Sequence, residues 1–182
     1  MASTGNAQTI LIVLRGNSAS GKSTVARLVR EQYGRGVAII GQDVVRREIL
    51  WEKDEPSSVN IGMIGLMARH ALDSGMHVIV EGILSCQSYG AMLTSLASDH
   101  RGVTACFYFD IPFDETVRRH ATKPQAAEYG EDLMSTWYRP LDLVPGLGEH
   151  RIDASSSLTD AVEFVIARSG LVRQDEMEER LS

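Results

Sequence analysis

Cysteine is scarce in this 182-residue chain. Cys86 and Cys106 are too few for a disulfide framework and do not fall in a C-x-x-C metal spacing. Cys106 stands inside an apolar run and reads as a small core residue. Net positive charge is missing too. The formal charge is −6, which leaves no overall positive field for non-specific binding and disfavours a nucleic-acid partner. No apolar stretch approaches the length of a membrane span, and the first eight residues lack the basic start and apolar run of a secretory signal. No membrane partner and a reducing, cytoplasmic setting are therefore expected. His70, His77, His100, His120 and His150 show neither an i, i+4 pair nor a ligand spacing, which disfavours zinc. Internal repeats and low-complexity segments are absent as well.

What is present is ordinary for a globular domain: 43% hydrophobic and 23% charged residues. The length fits one domain, 1–182, rather than two. Within it, residues 1–8 read as a loose start, about 122–148 as a mobile lid and 170–182 as a charged tail. Apolar, β-branched runs at Thr9–Leu14, Val37–Ile40, His77–Val80, Val103–Phe109 and Glu149–Ile152 predict five strands. Helical patterns follow them at Lys22–Gln32, Asp43–Leu50, Ser58–Ser74, Gln87–His100, Phe113–Ala121, Ala126–Arg139 and Leu158–Ser169. Met63, Leu66 and Met67 form a stripe on the third of these and read as core. Alternation of this kind predicts an α/β fold, a parallel sheet covered on both faces. In such sheets ligands collect at the carboxyl ends of the strands.

At the carboxyl end of the first strand the chain runs Gly16-Asn17-Ser18-Ala19-Ser20-Gly21-Lys22-Ser23-Thr24. This is G-x-x-x-x-G-K-[ST] between a strand and a helix, the one context in which the pattern carries a mechanism. The glycines let successive N–H groups turn around a phosphate, and Lys22 brings a point charge to the β- and γ-phosphates. The Ser23 hydroxyl suits Mg²⁺, and the helix start adds its positive dipole end. A nucleoside triphosphate is the expected ligand.

Other strand ends supply acids. Asp43 closes the second strand region, placed to accept a proton from a substrate hydroxyl; a plain helix cap is the other reading. Arg46 falls three residues on, on the same helical face, and suits an anionic group of the acceptor. Glu81 closes the third strand and Asp110 the fourth. Either fits a Mg²⁺ water or the acceptor hydroxyl. Glu81 is preferred because Gly82 leaves room for a ligand and Asp110 has a ready role starting the next helix. Arg118 and Arg119 lead into the predicted lid, with Lys123 beyond them and Arg139 at its far side. Closure could bring such cations onto the charge that develops in phosphoryl transfer. Trp51, Trp137 and Tyr138 are expected to wall an acceptor pocket.

From Ile10 to about Ala167 this layout resembles the small P-loop kinases of the adenylate-kinase-like group. It is similar in particular to the branch that holds zeta-toxin-type kinases, chloramphenicol phosphotransferase and the kinase domain of polynucleotide 5′-kinase. The phosphate loop is shared by all P-loop proteins, whereas Asp43-Val44-Val45-Arg46 is similar to the branch's D-x-x-R. The resemblance implies a three-layer P-loop NTPase fold with a five-stranded parallel sheet and a small helical lid. It implies ATP and Mg²⁺ as cofactors, with Ser23 and Glu81 at the metal and Asp43 as base. Arg46 would hold the acceptor, a small molecule with a hydroxyl. Ile152-Asp153-Ala154-Ser155 is similar to the loop that lines the adenine, which implies a nucleotide-side position for Asp153. The predicted lid lacks the repeated arginines of nucleoside-monophosphate kinases, and no guanine-reading N-K-x-D is present. A nucleotide or polynucleotide 5′-kinase and an ATP-hydrolysing switch stay open beside the small-molecule kinase.

Overall fold

In the computed structural model, which describes residues 3–122 and 129–172, every predicted strand is present. They are β1 (Ile10–Gly16), β2 (Val37–Gly41), β3 (His77–Gly82), β4 (Val103–Asp110) and β5 (His150–Asp153). All pair in parallel, in the order β2-β3-β1-β4-β5. The helices are α1 (Lys22–Tyr33), α2 (Val59–Asp73), α3 (Cys86–Asp99), α4 (Phe113–His120), α5 (Glu131–Trp137) and α6 (Leu158–Ser169). Lys123, the start of the predicted Ala126–Arg139 helix and the tail from 173 onward lie outside the described residues.

The period-2 alternation of a strand explains the layering. Ile10, Ile12 and Leu14 of β1 pack with Val25 and Val29 of α1 and Val162 and Val165 of α6. Leu11 and Val13 face the other way, onto Ile64 and Leu72 of α2 and Leu93 and Leu96 of α3. Both sheet faces are thus buried, each large aliphatic side chain contributing about 1.5–3 kcal/mol. Cys106 lies in the second layer, where burial pushes its thiol up to about 12 and leaves it inert. Met63 and Met67 pack against this layer, but Leu66 is 66% exposed. On a helix packed by one face, a residue between two inward turns points out.

The expected loose start differs from Thr4 onward. Thr4 is buried, its Oγ1 donating to Asp73 Oδ1 at 2.8 Å, and Gly5 N–H donates to the same oxygen at 2.7 Å. Polar side-chain bonds rather than apolar periodicity tie this segment down, so hydropathy did not reveal it. The expected Asp43–Leu50 helix is a π-helical turn, Val44–Ile49, closed by Leu50 N–H donating to Val45 C=O at 3.0 Å. Such wide turns concentrate at functional sites.

At the far end of the sheet, His77 links β3 to its neighbours. Ile10 N–H donates to Nδ1 at 3.0 Å, so the ring proton sits on Nε2, 2.8 Å from the Tyr33 hydroxyl. Burial lowers the basicity of His77 and likewise of His100, which bridges Thr9 and Thr104. Unfolding raises both toward about 6.5, so the unfolded chain binds more protons below that pH. Their stabilisation is complete above about pH 6.5 and is lost as the pH falls toward the depressed folded-state values. In thermal melts between about pH 7.5 and about pH 5.5, His77→Gln should therefore lose less stability than the parent. An unchanged pH slope would remove His77 from this account.

Candidate active site

The phosphate loop leaves β1 at Gly16, whose φ of 140° favours glycine and whose added Cβ would lie 2.6 Å from Phe109 O. Gly21 ends the loop at φ 104°, caps α1 and passes the chain into Lys22. Lys22 is buried, and its Nζ donates to Asn17 O at 2.7 Å and to Ser20 Oγ at 2.9 Å. Its ammonium group is thereby folded into the mouth of the loop.

One residue on, Ser23 Oγ donates to Glu81 Oε2 at 2.8 Å. The pair joins the first turn of α1 to the end of β3, two residues distant by 58 positions that β1–β3 pairing brings together. An alcohol and a carboxylate are hard oxygen donors that fit Mg²⁺, so these two residues could hold it. Asp110, the competing acid, instead pairs with Arg151 across β4 and β5. Its expected role at the start of α4 is not seen: Pro112 takes the N-cap position and no side chain caps the helix. Strand order explains the separation, since β3 and β4 lie on opposite sides of β1.

Space for the Glu81 carboxylate is made by Gly41, whose added Cβ would stand 2.8 Å from Glu81 Oε1. Gly41→Ala should therefore turn Glu81 away from Ser23. The expected result is a loss of Mg²⁺-dependent nucleotide affinity of about tenfold with a melting temperature close to the parent's. Unchanged affinity in a Mg²⁺ titration would show that the carboxylate's place is immaterial.

Asp43 is 71% exposed and caps nothing. Its Oδ1 pairs instead with Arg46 Nη2 at 2.9 Å and Arg47 Nε at 3.2 Å. Arg46 is mostly buried and its Nε has no partner. The segment after it is held from below. Gln42 Nε2 donates to Tyr89 Oη at 2.9 Å and Asp54 Oδ2 at 3.1 Å, and its Oε1 accepts from Leu84 N–H. The Tyr89 hydroxyl has one proton to give and lies 2.7 Å from both Asp54 Oδ1 and Asn60 Oδ1. Trp51, expected in a pocket wall, is 90% exposed at φ 52°, while Trp137 and Tyr138 pack on Tyr129 and Phe113 beside α4.

The arginine pair divides. Arg119 Nη1 reaches Ser20 O of the phosphate loop at 3.2 Å, whereas Arg118 is 72% exposed and bonds to Glu115. Arg119, Gly21, Phe109, Ile152, Asp153 and Ala161 line a cavity of about 260 Å³ beside the loop. Asp153 thus lines the cavity beside the phosphate loop, its carboxyl held below the usual range by hydrogen bonds from Ser155.

Sequence reasoning missed a buried group behind the loop. Arg15, fully buried, donates to Leu84 O, Asp142 O, Asp142 Oδ2 and Glu149 Oε1 at 2.8–3.1 Å. A charge is tolerated in the interior only with such partners. Its one signal was an arginine closing an otherwise apolar strand. Asn17, expected to bind phosphate, uses its side chain otherwise: Nδ2 donates to Arg139 O and Oδ1 accepts from Arg139 N–H, both at 2.8 Å. Tyr108 Oη adds a bond to Arg139 O at 3.0 Å. The chain leaving the predicted lid is thereby fastened to the phosphate loop.

The sheet order, the loop at the end of its central strand and the flanking cavity define an α/β protein of the P-loop kinase fold. The AAA domain family model (AAA_33) matches residues 11–136, and the chain belongs to that family. A UPF0200 protein of Aeropyrum pernix is 38% identical over 63 residues, 35% of this chain. The match spans 33% of that relative's length. Among solved structures, an unliganded sugar kinase from Janibacter sp. HTCC2649 superposes with a TM-score of 0.68 at 16% identity, over 90% of this chain and 96% of its own. The APS kinase CysC of Mycobacterium tuberculosis, in complex with AMPPNP and APS, gives 0.62 at 20% identity, over 91% and 97%. At these identities the likeness is one of fold. Among the described residues no helix is long and apolar enough to cross a membrane.

Proposed function

We propose that residues 1–182 form one kinase domain that transfers the γ-phosphate of ATP to a hydroxyl of a small molecule. The specific branch we propose is that of zeta-toxin-type kinases, chloramphenicol phosphotransferase and the kinase domain of polynucleotide 5′-kinase, acting in the cytoplasm. The observation that carries this reading is the 2.8 Å contact between Ser23 and Glu81, one residue from Lys22 and directly behind the phosphate loop. It gathers a phosphate-binding cation and a hard-metal donor set at one strand edge. Neighbours of the same fold that are named as a sugar kinase and an APS kinase support a small acceptor.

In this reading Lys22 and the loop amides bind the β- and γ-phosphates, and the cavity beside Arg119 and Asp153 receives the base. Ser23 and Glu81 would hold Mg²⁺, which would supply charge neutralisation at the phosphates. Arg46 orients the acceptor. Asp43 takes the proton of the acceptor hydroxyl as its oxygen bonds to the γ-phosphorus. The bond from that phosphorus to the β–γ bridging oxygen breaks, and ADP leaves. Arg119 stabilises charge on the transferring group.

A panel of sugars, nucleosides, amino alcohols and hydroxyl-bearing antibiotics, scored by ADP release over an acceptor-free blank, tests the reading. Acceptor-dependent ADP release with a phosphorylated product is the expected result. ATP turnover indifferent to every acceptor would contradict it.

A further inference from the structure

We infer that Glu115 is a positioning residue that selects Arg119, rather than Arg118, as the arginine of the nucleotide site. The inference rests on the ATP reading above. Glu115 lies one turn before both arginines on α4, and both side chains converge on its carboxylate. Arg119 Nε donates to Oε1 at 2.6 Å, while Arg118 donates through Nε to Oε2 at 2.6 Å and through Nη2 to Oε1 at 2.8 Å.

The two grips differ in what they leave over. Arg119 is held by its inner nitrogen, so the end of its guanidinium remains available and Nη1 reaches Ser20 O. An added Cβ on Gly21 would come to 4.0 Å from that same Nη1, so the arginine stands over the loop's last turn. Arg118 presents its fork edge-on to the carboxylate, on the solvent side. The carboxylate thus fixes one arginine in the cavity wall and retires the other.

Charge is not in doubt across the working range, because hydrogen bonds from Arg118 and then Arg119 hold the Glu115 carboxyl down to about 2. Pairs of this exposure and helical spacing add little to stability, so removing Glu115 should not unfold the domain. Orientation is what the pair contributes. An arginine without it must be ordered when the ligand arrives, which weakens binding.

A double-mutant cycle on Mg²⁺·AMPPNP affinity tests this by calorimetry, with thermal melts as the stability control. Glu115→Ala and Arg119→Ala should each weaken AMPPNP about tenfold, and the double variant should be no weaker than Arg119→Ala alone. Arg118→Ala should stay within about twofold of the parent, and Glu115→Asp should fall between the parent and Glu115→Ala. Parent-like affinity in Glu115→Ala beside a weakened Arg119→Ala would overturn the inference and leave the ATP reading standing. Losses that multiply in the double variant would overturn it likewise, since a separate structural effect multiplies. Absence of any AMPPNP heat in the parent would remove both.

Discussion

Lys22→Ala should lose measurable Mg²⁺·ATP binding in calorimetry and all ATP-dependent turnover, with a melting temperature near the parent's. The ammonium group lies buried at the loop mouth, bonded to Asn17 O and Ser20 Oγ. One such charge about 4 Å from a phosphate oxygen is worth about 4 kcal/mol at an effective dielectric near 20. That is roughly a thousandfold in affinity, enough to carry micromolar binding out of range. The loop itself keeps its shape, because Gly16 against Phe109 and the Asn17–Arg139 bonds do not involve the lysine side chain. Retained affinity in Lys22→Ala would mean that the nucleotide sits elsewhere.

Asp43→Asn should separate binding from chemistry. The amide keeps the size and one acceptor oxygen of the carboxylate, so Arg46 and Arg47 retain a partner near the distances seen here. It cannot take a proton. A positioned general base contributes about a hundredfold to ten-thousandfold, and transfer should fall by that factor while AMPPNP affinity stays within about twofold. The measurement is single-turnover transfer from ATP to whichever acceptor the ADP-release panel identifies. Parent-like transfer would leave Asp43 as no more than the anchor of two arginines.

What could be read from the sequence was what is local. The phosphate loop is nine consecutive residues, and strand and helix periods repeat over short windows, so five strands were found to within two residues at each end and α6 at its bounds. Glu81 was readable because an acid ended an apolar strand. The finer site was hidden because its partners are distant in the chain. Arg15 meets Glu149 across 134 positions and Asn17 meets Arg139 across 122. Nothing in the period of either segment encodes those contacts. The π-helical turn after Asp43 was hidden for another reason: six residues with Val45 buried and an i→i−5 bond carry the same short apolar pattern as an α-helical turn. Glu115 is the exception. Its spacing of three and four residues from the two arginines is a recognised helical pairing and was there to be used.

The arrangement also divides the predicted lid region. From Arg139 to Glu149 the chain is bonded to Asn17, Tyr108 and Arg15, all on β1, β4 or the phosphate loop. That stretch belongs to the frame of the site.

The most direct measurement is titration of the parent protein with AMPPNP, run with Mg²⁺ and again with EDTA. The account predicts one site per chain, with affinity at least about tenfold weaker without Mg²⁺, which Ser23 and Glu81 would hold. No heat in either buffer, or binding indifferent to Mg²⁺, would contradict it.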